Sequence, residues 1–196
     1  MFHEDKDSRR KVAVVSGASG GIGRALCDLL RRRGYRVIGL SRLQGPVQDT
    51  GYVDHAVACD LTDPASIAEA ARAIHHASAH IDLFVFCAGA IAPQPVATLL
   101  HDLALEQVQI NLVGVMQLTN AILPAMAEGS HLIYVNSMAG VFPLAGSSVY
   151  TASKFGLRGF ALALEQELRP RNIRVSSVFP GSVNTTMLMK EMEQGG

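Results

Sequence analysis

Hydrophobic positions along the chain switch repeatedly between a strand-like and a helix-like spacing. Residues 11–16 (KVAVVS) form a short valine-rich run bounded by glycine, as a buried strand requires. Residues 22–33 carry Ile22, Leu26, Leu29 and Leu30 at helical intervals and stop at Gly34. Strands are predicted at 36–40 and 55–59, separated by a turn-rich stretch around Gly45-Pro46. Asp63 and Pro64 supply an N-cap and a first-turn proline for a helix reaching about Ala77. A strand at 82–87 follows, then one long helix over about 102–127 with Leu112, Val115, Met116, Thr119, Ile122, Leu123 and Met126 on one side. The last expected elements are a strand at 131–136, a helix at 149–169 and a strand at 174–179. Such alternation predicts an α/β fold, a doubly wound parallel sheet of six strands with helices on both faces. No linker or repeat divides the 196 residues, so one domain is expected, preceded by a polar tail over 1–9.

Composition narrows the function classes. Lysine plus arginine equal aspartate plus glutamate at 17 each, so no global field recruits nucleic acid or a membrane surface. Residues 1–11 lack the apolar run of a signal peptide, and no stretch approaches ~20 uninterrupted apolar residues; a soluble, cytoplasmic protein is expected. Cys27, Cys59 and Cys87 each lie in an apolar segment without CxxC spacing, as small buried hydrophobes do. His75 and His76 are adjacent and diverge around a helix, so no metal site is expected.

Chemistry concentrates at two places. Gly17-Ala18-Ser19-Gly20-Gly21-Ile22-Gly23 joins the first strand to the first helix. A glycine turn there lets backbone approach a pyrophosphate, and the helix start offers unpaired N–H groups and a positive dipole end. Its GxxxGxG spacing differs from the commoner GxGxxG, and a tight packing turn is the plainer alternative. Downstream, Tyr150 and Lys154 stand four apart on one helical face. An ammonium near a phenol favours the phenolate, lowering its pKa from ~10 toward the working range. A phenol so tuned can donate a proton to a carbonyl oxygen and retrieve it. Ser137, at a strand end, is placed to hold the same oxygen.

These marks, with Asp60-Leu61, Cys87-Ala88-Gly89, Asn111 and Pro180-Gly181, run in an order and spacing that resemble the single-domain short-chain dehydrogenase/reductase family, over about residues 10–187. The resemblance implies a Rossmann-like fold and hydride transfer between a nicotinamide and a carbonyl or alcohol. It implies Tyr150 as general acid/base and Lys154 as its partner, also bonded to the nicotinamide ribose. It further implies Ser137 orienting the substrate oxygen and Asn111 holding a relay water. Gly17, Ser19, Gly20, Gly21, Ile22 and Gly23 would cradle the pyrophosphate, and Asp60 and Leu61 would flank the adenine. Cys87, Ala88 and Gly89 would line the inner ribose, while Pro180, Gly181, Val183 and Thr185 would border the nicotinamide. Asn111 is equally able to tie backbone groups where its helix bends, and Asp60 to close a turn before Thr62.

Residues at the second strand's end decide between the two nicotinamide cofactors. Ser41 stands where a carboxylate would hold a ribose 2′-hydroxyl, and Arg42 follows it. NADP(H) is therefore expected over NAD(H), unless Arg42 is only a solvated loop residue.

Two departures from the family are visible. Phe86-Cys87 stands in place of the usual asparagine pair. The chain stops at Gly196, so the final edge strand and most of a substrate-covering loop are expected to be missing, with a short helix over 186–193. Val141, Phe142, Pro143 and Leu144 are expected to wall an apolar substrate site. Ala152, Gly156, Gly159 and Ala163 form a small-residue stripe. The resemblance makes this helix and the one over 102–127 a homodimer interface; packing on its own sheet is the alternative. A second functional class stays open: a regulator or scaffold that binds the cofactor but turns over little.

Overall fold

The computed structural model describes residues 10–42 and 51–184. The expected tail over 1–9, the turn at Gly45-Pro46, Thr185 and the short helix over 186–193 lie outside the described residues.

Six parallel strands, β1 (Val12–Ser16), β2 (Arg36–Ser41), β3 (His55–Ala58), β4 (Ile81–Phe86), β5 (Met126–Val135) and β6 (Arg174–Val178), form one sheet in the order β3-β2-β1-β4-β5-β6. The order reverses between β1 and β4, where an open α/β sheet leaves a crevice at its carboxyl edge. Both faces are covered, which is why the strands read as continuous apolar runs. Val12 and Val14 join one core with Ile38, Leu40, Phe84 and Leu132. Ala13 and Val15 face the other way, toward Cys27 and Leu30 of α1 (Gly21–Arg32).

Helix α2 (Pro64–Ala77) begins as its sequence demands: the Asp63 side chain accepts the Ala65 N–H at 2.9 Å, and proline occupies the first turn. Helix α5 (Ser148–Leu168) packs on β6 through Leu157, Ala161 and Leu164. Among the described residues β6 is the sheet's last strand.

The expected long helix is present as one helical run, His101–Ala125, but its pitch is not uniform. It divides into α3 (His101–Val108), a π-helical turn (Gln109–Val113) and α4 (Gly114–Ile122), then a 3₁₀ turn (Leu123–Ala125). The π turn shifts the phase, so Ile110, Val115, Leu118 and Ile122 are buried, while Leu112 and Met116 are only half buried. The helical run ends earlier than expected, and Met126 opens β5 instead. His101–Ala125 has the length and composition to cross a membrane, but Val115, Leu118 and Ile122 belong to the core beneath the sheet.

The small-residue stripe of α5 is also split. A Cβ on Gly156 would stand 2.8 Å from the Leu112 side chain of the same chain, whereas Gly159 has nothing within 4 Å. Ala152, Gly159 and Ala163 are exposed, beside Phe155 and Leu162 at 41% and 54% exposure.

Candidate active site

Two adjoining cavities open at the sheet's carboxyl edge. One, of about 280 Å³, is lined by Gly17, Ser19, Gly20, Ser41, Arg42, Asp60 and Leu61 among others. The second, of about 340 Å³, is lined by Ile22, Ser137, Tyr150, Lys154, Pro180, Gly181 and Val183 among others. Cys87, Gly89 and Ala90 belong to both walls.

The glycine turn explains its composition. Gly17 has φ +68°, and a Cβ there would meet the Ala88 amide at 2.7 Å. A Cβ on Gly23 would sit 2.2 Å from the Gly17 carbonyl oxygen, so strand, turn and helix touch backbone to backbone. Gly20 caps α1 without a side-chain bond, and the helix ladder begins with the Arg24 N–H on the Gly20 carbonyl at 2.8 Å. The preceding amides precede that ladder and form a positive helix end suited to a phosphate. Gly21 lies at the same helix start but borders a separate surface cleft with Arg24 and Tyr52.

Ser41 is buried at the end of β2 and Arg42 is exposed beside it. The Asp60 carboxylate accepts the Thr62 N–H at 2.9 Å and hydroxyl at 2.7 Å. These bonds, with the nearby Arg42 charge, hold its carboxyl below the usual range. Asp60 thus closes the turn anticipated as its alternative role and also faces the first cavity. The Cys87 thiol, half buried, is pushed up to about 12 by burial and stays protonated.

Lys154 is only 4% exposed, and burial lowers its amine from 10.5 to about 8. Its nitrogen lies 5.7 Å from the centre of the Tyr150 ring. Gly89 lies against Asn111 and this amine: a Cβ there would crowd Asn111 Oδ1 at 3.3 Å and reach ordinary contact with the amine at 3.6 Å. Ser137 caps a short 3₁₀ turn, its Oγ accepting the Ala139 N–H at 3.1 Å. A hydroxyl used as acceptor keeps its own proton for another oxygen.

Asn111 is fully buried on the π turn, beneath the cavity wall. Its amide exchanges two bonds with the Ala90 backbone, each 2.8 Å, and donates to Ser153 Oγ at 3.2 Å. The backbone-tying role is therefore present. Ser153 in turn donates to the Tyr150 carbonyl at 2.7 Å.

Several positioning residues escaped the sequence reading. Asn136 donates to the Lys154 carbonyl at 3.2 Å and accepts the Ser137 N–H at 3.0 Å, locking β5 to α5. Ser16 Oγ accepts the Ala88 N–H at 3.3 Å. Adjacency to Ser137 was the available signal for Asn136, and an interior serine between Tyr150 and Lys154 was the signal for Ser153. Of the expected apolar wall, Leu144 lines the second cavity, joined by Ile91 and Met138. Phe142 is instead 59% exposed.

A doubly wound sheet carrying a glycine turn and a buried tyrosine–lysine pair at its switch point defines a nucleotide-dependent oxidoreductase site. The short chain dehydrogenase family model matches residues 11–195, and the chain belongs to that family, as a dehydrogenase/reductase that uses a nicotinamide cofactor. It is 34% identical to carbonyl reductase family member 4 of Danio rerio, over 90% of this chain and 77% of that protein. It is 32% identical to the 3-oxoacyl-[acyl-carrier-protein] reductase FabG of Escherichia coli K12, over 90% of this chain and 75% of that one. A variant of actinorhodin polyketide ketoreductase solved with NADPH superposes with a TM-score of 0.86 at 29% identity, covering 94% of this chain and 75% of the other.

Proposed function

We propose that this chain reduces a carbonyl compound to an alcohol, and runs the reverse reaction, with NADP(H) as cofactor and Tyr150 as general acid/base. The observation that carries the reading is the convergence of Tyr150, Lys154 and Ser137 on one cavity joined to the glycine-turn cavity. The residues fit a dinucleotide: the uncapped start of α1 suits the pyrophosphate, and the space left by Gly89 keeps the inner wall open. Gly17, Ser19, Gly20, Ile22 and Gly23 form its phosphate end, with Gly21 at the same helix start. Asp60 and Leu61 flank the adenine, Cys87, Ala88 and Gly89 the inner ribose, and Pro180, Gly181 and Val183 the carboxamide side. A bound nicotinamide supplies or accepts the hydride.

The chain's own residues handle the proton and the oxygen. Ser137, with its acceptor lone pair on the Ala139 amide, donates to the substrate oxygen. Tyr150 gives its proton to that oxygen and takes one back in the reverse direction. Lys154, held dry one turn away, favours the phenolate when charged. Asn111 holds Ala90 in place and supports the relay toward Lys154. Leu144, Ile91 and Met138 exclude water and favour an uncharged substrate.

NADP(H) preference rests on Ser41 and Arg42 at the first cavity, where a guanidinium suits a 2′-phosphate. FabG is named a 3-oxoacyl-[acyl-carrier-protein] reductase, which agrees with a carbonyl substrate, and the ketoreductase was solved with NADPH, which agrees with this cofactor. Exposed Phe155, Leu162, Gly159 and Ala163 on α5 suit a homodimer face together with α3 and α4. Sedimentation showing only monomer at micromolar concentration would oppose the dimer.

The deciding experiment follows NADPH oxidation with small ketones, diketones and quinones, comparing the native chain with Tyr150→Phe. Turnover abolished in the variant supports the reading. Tight NADPH binding without turnover by either chain identifies a cofactor-binding regulator instead.

A further inference from the structure

Gln107 is the single buried residue of α3, and it is polar. At 3% exposure its amide must find partners. It finds both in one residue: Oε1 accepts the Ala92 N–H at 3.4 Å, and Nε2 donates to the Ala92 carbonyl at 3.3 Å. Asn111, four positions later, treats Ala90 the same way at 2.8 Å in each direction. Two amides about one turn apart therefore grip alternate residues of one segment. The spacings agree, because four helical residues advance ~6 Å and two extended residues advance ~6.6 Å. Each amide offers the donor–acceptor pair that a neighbouring strand would offer.

Between the gripped residues lies Ile91, which lines the second cavity with Ala90. Two residues beyond Ala92, Gln94 forms a bridge with Ser147, immediately before α5 and three residues from Tyr150. The clamped segment thus runs from the wall shared by both cavities to the base of the helix bearing the phenol. We infer that Gln107 is a positioning residue, which fixes the Ile91 wall of the substrate cavity by clamping Ala92. This rests on the carbonyl-reductase reading for its kinetic consequence, while the clamp itself is testable without turnover.

The test uses Gln107→Met, which keeps length without donor or acceptor, and Gln107→Glu, which keeps the acceptor for the Ala92 N–H. Hydrogen exchange over residues 89–93 and steady-state kinetics with ethyl acetoacetate and menadione are measured on the full chain. In Gln107→Met the Ala92 amide exchanges roughly tenfold faster. The KM for ethyl acetoacetate rises about fivefold, with kcat and the NADPH Kd held within about twofold. Gln107→Glu falls between the two chains in both readouts. In an Ile91→Ala background the KM effect of Gln107→Met disappears, because the residue acts through that wall. Unchanged Ala92 exchange in Gln107→Met overturns the clamp. A joint loss of kcat, carbonyl binding and NADPH binding overturns the positioning role. If Ala92 exchange responds but the native chain reduces neither carbonyl, the proposed function fails and the clamp stands.

Discussion

The Lys154 nitrogen and the centre of the Tyr150 ring stand 5.7 Å apart, one turn along the same helix. A single rigid element thus sets the separation between the phenol ring and the buried amine, and β5 is tied to that element by Asn136. Tyr150→Phe retains the ring and its packing while deleting the oxygen. Carbonyl reduction is expected to fall by about 10²–10⁴-fold, with NADPH affinity within about twofold by fluorescence titration.

The buried amine predicts a pH limb. In the folded chain Lys154 is charged below about 8 and neutral above it. If the ammonium tunes Tyr150, kcat/KM for reduction falls as pH rises through about 8. Lys154→Arg stays charged and should lose this limb, whatever its absolute rate. A pH–rate profile of both proteins checks it.

The same amine makes stability depend on pH in the opposite sense. An unfolded lysine keeps its proton up to 10.5, whereas the folded one releases it near 8. Between those values the unfolded chain binds more protons, so the contribution of this group to stability rises with pH. Below about 8 both states are protonated and the buried charge is a constant cost. Lys154→Met should therefore be more stable than the native chain by a margin wider at pH 7 than at pH 10, measured by urea unfolding.

Arg42 is exposed, so any hold its charge has on a 2′-phosphate is screened by solvent. Arg42→Ala should raise the Kd for NADPH by about tenfold and leave that for NADH nearly unchanged. Equal weakening of both would remove Arg42 from the 2′-phosphate. Calorimetric titration at a single ionic strength separates the two cases.

Gly23→Ala tests how tightly the nucleotide turn is built. A methyl group 2.2 Å from the Gly17 carbonyl oxygen forces backbone to move. The expected cost is about 1–3 kcal/mol of stability, with weaker NADPH binding, seen in denaturant midpoints and titration.

Strand and helix positions were readable because the two-sided burial of the sheet leaves runs such as VAVV, and because Asp63-Pro64 and Gly34 punctuate the helices; the order of the strands was not, since it came only with the structure. That Tyr150 and Lys154 come together was readable because they stand four apart in one uninterrupted helix. Asn111 shows the boundary of that approach. The family resemblance assigned it to the site, but its bonds to Ala90 and Ser153 depend on how a distant loop returns. Gln107 carried no sequence signal, since its partner is the backbone of Ala92, and backbone partners leave no trace in residue type. Met126 was misplaced because an apolar residue after a helix fits either a last turn or a first strand position.

The π turn at Gln109–Val113 also constrains evolution of length. Removing one residue there would give a more regular helix with better ladder geometry, yet rotate everything downstream by ~100°. Val115, Leu118 and Ile122 would swing off the core, so this swelling is what lets one helical run hold the 90–92 segment through Gln107 at its start and the hydrophobic core at its end.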